Sequence, residues 1–235
     1  MRLLWTGFAI LVGAEICYPL TAGGTRAALV IGTVLLGGAL SVAHAALTRG
    51  ARAALALVAV AAGGGLLVEA VGVATGFPFG RYGYGEALGP TVLGVPVVVP
   101  MAWAWMAWPA WLAAGVLTMR WRVPVAAVGL AAWDLFLDPQ MVAAGYWTWA
   151  GEATVPATNY LGWLGVSLVM MALLALAVPS PVDRRADAPM LAVYLWTYYS
   201  SVLAHAVFLD LPASALWGGI AMGAVAVPVS VRLVR

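Results

Sequence analysis

The chain has 235 residues, of which 64% are hydrophobic and 9% charged, and its formal net charge is +2. Soluble domains carry about 25% charged residues, so the composition excludes an ordinary soluble protein and indicates a single integral membrane domain over residues 1–235. All 11 basic residues are arginine, one residue is cysteine and two are histidine. These counts exclude a retinal Schiff base, a thiolate-ligated iron–sulfur cluster and a di-iron site built from histidine clusters.

Eight apolar segments follow one another along the chain. Each is close to the roughly 20 residues that a helix needs to cross the hydrocarbon core, so we predict an all-α bundle of about eight transmembrane helices. The first segment follows Arg2 as a signal peptide would. Because Glu15 lies inside it and no small-residue cleavage site comes just after, we expect a retained helix. The predicted segments are 3–20, 27–48, 53–75, 92–118, 123–144, 159–178, 189–210 and 213–233.

The arginines are divided unequally between the two sides that eight crossings define. Nine lie at the termini or in the loops 49–52, 119–122 and 179–188, whereas only Arg26 and Arg81 lie on the other side. Because cytoplasmic loops are enriched in arginine, we expect both termini in the cytoplasm of a multi-pass cell-membrane protein. A seven-helix count would lose this asymmetry. The arginines are spread along the chain, and no nucleic-acid partner is expected.

Two outward segments, 76–96 and 145–163, are rich in glycine and proline, which excludes regular helix. Both also carry aromatic residues, for which two interpretations remain open. They form a belt at the membrane interface, where tyrosine and tryptophan are enriched, or they form packed caps over a cavity. The aromatic residues are Tyr82, Tyr84, Tyr146, Trp147, Trp149, Tyr160 and Trp163.

Ionisable residues inside the predicted helices are candidates for function, because a charge in the bilayer centre costs at least about 2.5–3.5 kcal/mol. With the topology above, five carboxyl groups and one imidazole converge on the outer half of the bundle, beneath the two glycine-rich segments. His44 alone lies near the cytoplasmic end. The converging residues are Glu15, Glu69, Asp134, Asp138, His205 and Asp210.

Neither a metal nor a cofactor is expected. The two histidines lie in opposite halves of the bundle, roughly 20 Å apart by helix rise, so they cannot share a metal or clamp a haem. Carboxylates alone can ligate a hard cation. The sequence has no D-x-D or E-x-x-H pattern that would support such a site.

Asp134 and Asp138 are four residues apart and therefore share one helix face. Two carboxyl groups this close in a low dielectric do not both ionise readily, and a protonated carboxyl group is what a general acid requires. Two structural roles are the alternatives. Asp134 accepts a hydrogen bond from a neighbouring helix, or Asp138, which precedes Pro139, marks a helix end.

The order of motifs resembles a known family. A glutamate that closes the third segment is followed by TGFPFGRYGYGEALGPTVLGVPVVVPMAW, and then by WDLFLDPQM, YWTW and NYLGW. These motifs resemble integral membrane carotenoid biosynthesis proteins of the bisanhydrobacterioruberin hydratase and gamma-carotene 1'-hydroxylase type, well over residues 60–165 and loosely beyond. The resemblance implies the addition of water to the terminal 1',2' double bond of an acyclic carotenoid end. The substrate would be lycopene-like or gamma-carotene-like and would come from the lipid bilayer.

Hydration of such an alkene needs a neutral acid, aromatic side chains that tolerate a carbocation, and a positioned water molecule. We expect Asp138 or Asp134 to be the proton donor and Glu69 to orient the water or share the proton, with Glu15, or Asp210 with His205, as further candidates. The tryptophans at 103–111 are expected to pack or to contact lipid. The expected substrate-binding residues are Tyr82, Tyr84, Trp133, Trp147 and Asn159.

Two other classes of function stay open. An isoprenoid cyclase or isomerase would use the same acid but exclude water. A proton-coupled transporter or a carotenoid-binding scaffold would use the buried acids without catalysis. For an enzyme acting on a carotenoid, an apolar groove that opens to lipid is the expected route of the substrate.

Overall fold

The computed structural model describes residues 1–178 and 181–235. The described residues form nine α-helices, of which α3 and α4 are joined by a π-helical turn, Val58–Gly63, into one continuous helix from Ala51 to Thr75. The α-helices are α1 (Arg2–Cys17), α2 (Gly23–Arg49), α3 (Ala51–Leu57), α4 (Gly64–Thr75), α5 (Val99–Leu117), α6 (Arg122–Ala143), α7 (Ala157–Ala177), α8 (Ala188–Val207) and α9 (Pro212–Val234).

The helices confirm an all-α polytopic bundle. Each predicted segment contains one long helix, and six of these helices in the described part are long and apolar enough to cross a membrane: α1, α2, α3 with α4, α6, α7 and α9. Helices α5 and α8 contain several tryptophan and tyrosine residues, which lower their mean hydropathy. The first two residues of the predicted loop 179–188 lie outside the described ranges.

Three predicted boundaries are corrected. The segment predicted from 92 begins as a hairpin of β2 (Thr91–Val92) and β3 (Val95–Pro96), and α5 starts only at Val99. The hairpin turn uses Leu93 and Gly94, both with positive φ, as a tight two-residue turn requires. The irregular segment 145–163 ends early, because α7 begins at Ala157. The segment 189–210 is helical only to Val207.

Helix α5 lies at the centre of the bundle, and its residues 103–114 are all buried. Of packing and lipid contact, the two alternatives expected for its tryptophans, packing is therefore the one that the structure shows. Small residues on neighbouring helices make room for the rings. A Cβ atom at Gly37 of α2 would lie 2.5 Å from the Trp105 ring.

Pro109 and Pro139 lie inside α5 and α6, and a serine from a neighbouring helix compensates each one. Pro109 leaves the carbonyl of Trp105 without its helical partner, and Ser41 donates to it at 2.9 Å. Pro139 does the same to the carbonyl of Leu135, which accepts from Ser214 at 2.5 Å. Since α6 continues past Pro139, the alternative that Asp138 marks a helix end is wrong.

The two glycine-rich segments pair with each other. Strand β1 (Tyr82–Tyr84) lies antiparallel to β4 (Trp147–Trp149), with Tyr82 opposite Trp149 and Tyr84 opposite Trp147. Two flanking backbone bonds of 2.7 Å, from Gly85 to Tyr146 and from Ala150 to Arg81, extend the ribbon. The ribbon therefore joins the segment after α4 to the segment after α6, across one end of the bundle.

At the opposite end of the bundle, hydrogen bonds connect α2, α5 and the segment before α8. His44 of α2, which is fully buried, takes part in them. Its Nδ1 accepts from Trp108 at 3.0 Å, and its Nε2 lies 2.9 Å from the Ala186 carbonyl. Arg49 donates to both carboxylate oxygens of Asp187, at 2.8 and 2.7 Å. His44 is thus a hydrogen-bonded core residue that helps to hold the segment before α8 against α2.

Candidate active site

A cavity of about 460 Å³ lies beneath the ribbon. Its walls come from α1, α2, α4, α5, α6, α7 and α8, and its cover comes from β1 and β4. The volume is typical of a small-molecule site. Most of the lining is apolar, and polar groups stand out on one wall: Glu69, Tyr82, Tyr84, Asp138 and Asn159.

Glu69, in α4, is the best-satisfied carboxyl group of this wall. Its Oε2 accepts from the hydroxyl groups of Tyr82 and Tyr84, the latter at 2.7 Å, and its Oε1 accepts from Trp103 Nε1 at 3.1 Å. Burial, and then the charge of Glu69, raise the pKa of both phenols, so they remain protonated donors at neutral pH. Three donors from β1 and α5 thus fix the position of this carboxyl group.

The lone pairs of Glu69 leave room for one further donor. A carboxylate offers about four acceptor positions. Oε2 uses two of them for the tyrosines, and Oε1 uses one for Trp103. A water molecule in the cavity can occupy the remaining position on Oε1, where it would donate a proton toward the carboxylate.

Asp134 and Asp138 form a second acidic group on α6, linked by Asn159 of α7. The Asn159 amide nitrogen donates to Oδ2 of Asp134 at 2.7 Å and to Oδ2 of Asp138. Trp147 donates to Oδ1 of Asp138 at 3.1 Å. Asp138 lines the cavity, whereas Asp134 is fully buried behind it, and no described residue bonds to its Oδ1.

The Asn159 amide nitrogen lies within hydrogen-bond distance of Oδ2 of both aspartates, so the two carboxyl groups share one donor. Among the described residues, no salt bridge reaches either aspartate or Glu69. Asp138 is the member of this pair that a ligand in the cavity can reach.

Aromatic rings surround these acids. Trp103 and Trp163 stack with their centroids 3.8 Å apart, and Trp133 meets Trp163 edge-on at 6.3 Å. In the cover, the ring centroids of Tyr82 and Trp149 lie 5.6 Å apart, and those of Tyr84 and Trp147 lie 5.5 Å apart. Ring faces at this density attract a positive charge by about 2 kcal/mol or more when water is excluded.

The structure brings together most of the residues predicted for the site. Glu69, Asp138 and the five predicted binding residues meet at the cavity, five of these seven in its polar wall. Trp133 and Trp147 belong to the aromatic rings around it. Of the two interpretations of the aromatic loop residues, the packed cap over a cavity is therefore correct for Tyr82, Tyr84, Trp147 and Trp149.

Three further predicted residues do not belong to the polar wall. Glu15 lines the same cavity, but between α1 and α8, where it accepts from Trp196 Nε1 at 2.5 Å. His205 does not line the cavity, and its Nε2 lies 3.0 Å from Oε1 of Gln140, which does. Asp210 is not brought to the cavity at all, because α8 ends at Val207 and the following turn leaves Asp210 exposed.

Sequence reasoning missed Trp103 and Trp163 as members of the site, and it missed Gln140 and Trp196. In the sequence Trp103 is one of four similar tryptophans. Its special position arises from Gly65, where a Cβ atom would lie 2.6 Å from the Trp103 ring. The signal in the sequence was Gly65, one helical turn before Glu69, because a glycine at that position leaves room for a large ring beside the glutamate.

The described residues contain no group of three His, Cys, Asp or Glu side chains that could hold a metal ion. The candidate site thus consists of carboxyl, phenol, amide and indole groups. Such groups can move protons, orient water and stabilise a cation.

Comparison with known proteins identifies a family. The family described as "Carotenoid biosynthesis protein" matches residues 29–230. A curated relative, bisanhydrobacterioruberin hydratase of Haloarcula japonica, is 39% identical over 108 residues, which cover 41% of this chain and 36% of the relative. No solved structure matches the chain significantly.

Proposed function

The chain belongs to the carotenoid biosynthesis protein family, and we propose that it is an enzyme that hydrates the terminal 1',2' double bond of an acyclic carotenoid end. One observation carries the proposal: two carboxyl groups, those of Asp138 and Glu69, face the same aromatic cavity. In this proposal Asp138 is the protonated donor and Glu69 is the acceptor carboxylate. The name of the Haloarcula relative supports hydration, although the match spans little more than a third of that protein.

The first step is protonation of the alkene. Asp138 transfers its proton to the less substituted carbon of the terminal double bond, which forms a C–H bond and leaves a tertiary cation on the neighbouring carbon. Asn159 and Trp147 then stabilise the new Asp138 carboxylate by donating hydrogen bonds to it. Asp134 acts through Asp138 and is therefore a positioning residue.

The second step is capture of the cation by water. The rings of Trp103, Trp133 and Trp163 stabilise the cation while a water molecule on Oε1 of Glu69 attacks it. The C–O bond forms, and the water proton passes to Glu69. Transfer of that proton back to the aspartate pair restores both groups, so the net reaction is the addition of one water molecule without a cofactor.

Water capture distinguishes this proposal from a cyclase or isomerase, in which the same cation would lose a proton or close a ring. The free acceptor position on Glu69 favours hydration, because it holds a water molecule beside the cation. A proton-coupled transporter or a carotenoid-binding scaffold would need the acids but not the aromatic surround next to them.

The proposal includes the arrangement in the membrane. Eight crossings, with both termini in the cytoplasm, would make residues 1–235 a single multi-pass domain in the cell membrane. The arginine asymmetry supports this topology. The cavity then lies in the outer half, under the ribbon, within reach of a substrate dissolved in the bilayer.

Expression in hosts that accumulate lycopene or gamma-carotene tests the proposal. The expected result is a new pigment whose mass exceeds that of its precursor by one water molecule. A new pigment of unchanged mass would indicate cyclisation or isomerisation. The absence of any new pigment from both substrates would contradict an enzymatic role on these carotenoids.

A further inference from the structure

Within the described ranges, the cavity is exposed along one line. Its exposed lining residues all belong to the end of α1 with the turn that follows it, or to α8 with the residue that follows it. They are large and apolar, and they form the rim of a gap between these two helices. The rim residues are Ile16, Leu20, Tyr199, Leu203 and Phe208.

The cavity is covered on the side of the ribbon. Trp147 and Trp149 of β4 are buried, as are Phe79 and Leu88 from the segment around β1. The opening therefore points sideways. In a bundle that lies in a membrane, a sideways opening rimmed by exposed apolar residues faces lipid.

One face of α8 lines the gap. Trp196, Ser200, Ala204 and Phe208 follow one another at intervals of four and therefore form one stripe. The two middle residues are small, so the stripe has a groove between two aromatic rings. Glu15 lies opposite on α1, and its hydrogen bond to Trp196 joins the two helices.

The cavity is too small for a whole carotenoid. About 460 Å³ suits a ligand of drug size. A carotenoid is about as long as the roughly 30 Å hydrocarbon core is thick. If one end of the chain lies at Asp138, most of the chain must leave the cavity.

We propose that the polyene chain of the substrate leaves the cavity through the gap between α1 and α8, so that one end reacts while the remainder lies in the bilayer. The identification of the occupant as a carotenoid polyene rests on the proposed function. In this arrangement Glu15 is a positioning residue that holds α1 against α8, and the proton donor is elsewhere. The enzyme then hydrates one end at a time, and the second end requires release and re-entry.

Binding of lycopene to the protein in vesicles tests the gap without requiring turnover. Lycopene is achiral, so visible circular dichroism arises only when a chiral site binds it. We expect a saturable signal for the wild type and about tenfold weaker binding for Ala204→Phe or Ser200→Phe, because a bulky side chain in an occupied groove forces misfit. The matched control is Leu173→Phe, on an exposed part of α7, with binding within about twofold of the wild type.

Variants at two further positions, Leu203 and Glu15, keep the test decisive if a filled gap prevents folding. Leu203→Ala widens the rim and should speed lycopene uptake. Glu15→Leu should weaken binding, and Glu15→Gln should restore it, because glutamine keeps the acceptor for Trp196. Wild-type binding by the folded Ala204→Phe protein, or uptake unchanged in Leu203→Ala, would overturn the gap.

The two proposals fail in different ways. A wild type that binds lycopene through the gap but forms no hydrated product contradicts the proposed reaction and leaves the gap supported. A wild type that hydrates lycopene, while Ala204→Phe hydrates it equally well, supports the reaction and overturns the gap.

Discussion

Asn159 donates its side-chain N–H to Oδ2 of Asp134 at 2.7 Å. The same amide nitrogen serves Asp138, so a residue from α7 holds two carboxyl groups of α6 together in the core. An amide nitrogen has two N–H donors and can satisfy both partners. In this arrangement one acid faces the cavity and the other lies behind it.

Replacement of the cavity-facing acid should abolish the reaction. Asp138→Asn keeps the size and polarity of the side chain but removes the proton that is transferred. General acid catalysis contributes about 10²–10⁴-fold, and we expect a loss in this range. The measurement is hydrated pigment per folded protein, with the folded fraction determined by size-exclusion chromatography.

The matched control for this change is Asp210→Asn. Asp210 is exposed, does not line the cavity and has a positive φ, which asparagine tolerates. Its product yield should match the wild type. If Asp138→Asn, Asp134→Asn and Glu69→Gln all retain near-normal turnover, the proton donor is not in this cluster.

Loss of a tyrosine hydroxyl that donates to Glu69 should reduce turnover. Tyr84→Phe removes a 2.7 Å hydrogen bond to Oε2. Hydrogen bonds to charged groups contribute about 1.5–3 kcal/mol, so turnover should fall about ten- to a hundredfold. Tyr160→Phe is the control, since Tyr160 does not line the cavity. Equal rates for the two variants would remove Glu69 from the mechanism.

A pair of glycines tests whether Trp103 is held in position. A Cβ atom at Gly65 would lie 2.6 Å from the Trp103 ring, which cannot retreat because Trp163 stacks against it. Gly65→Ala should cost about 1–3 kcal/mol of stability and reduce turnover. Gly64→Ala meets nothing within 4 Å and should be neutral or stabilising by up to about 1 kcal/mol. Thermal unfolding with turnover measures both, and equal behaviour would contradict close packing at Trp103.

The topology makes a separate prediction. Reporter fusions after Gly50, Arg122 and Arg185 should all report the cytoplasm, because nine of the 11 arginines lie on that side of an eight-helix arrangement. An extracytoplasmic signal at any one of the three positions would break the topology while leaving the geometry of the site intact.

The sequence contained enough information for the helices and for half of the site. Long apolar runs predict the helices because the bilayer fixes their length. The four-residue spacing of Asp134 and Asp138 predicts a shared face because helix geometry fixes it. The aromatic residues Tyr82, Tyr84 and Trp147 were found because glycine and proline exclude a helix around them.

What the sequence could not supply depends on contacts between distant residues. Glu15 and Trp196 are 181 positions apart, and only the packing of α1 on α8 brings them together. Trp103 differs from its neighbouring tryptophans only through Gly65. The topology predicts Asp210 at the outer end of segment 189–210, but α8 ends at Val207 and the following turn leaves Asp210 exposed. The valine-rich start of segment 92–118 is as apolar as a membrane span, yet its residues 91–96 form a hairpin.

The source of the hydroxyl oxygen tests the central claim most directly. Cells or vesicles that convert the carotenoid in water enriched in heavy oxygen, without air, should form a tertiary alcohol that carries the heavy isotope. The water on Glu69 is the nucleophile in this account, so incorporation should match the enrichment of the solvent. Product that forms only in air and takes its oxygen from labelled dioxygen would contradict hydration.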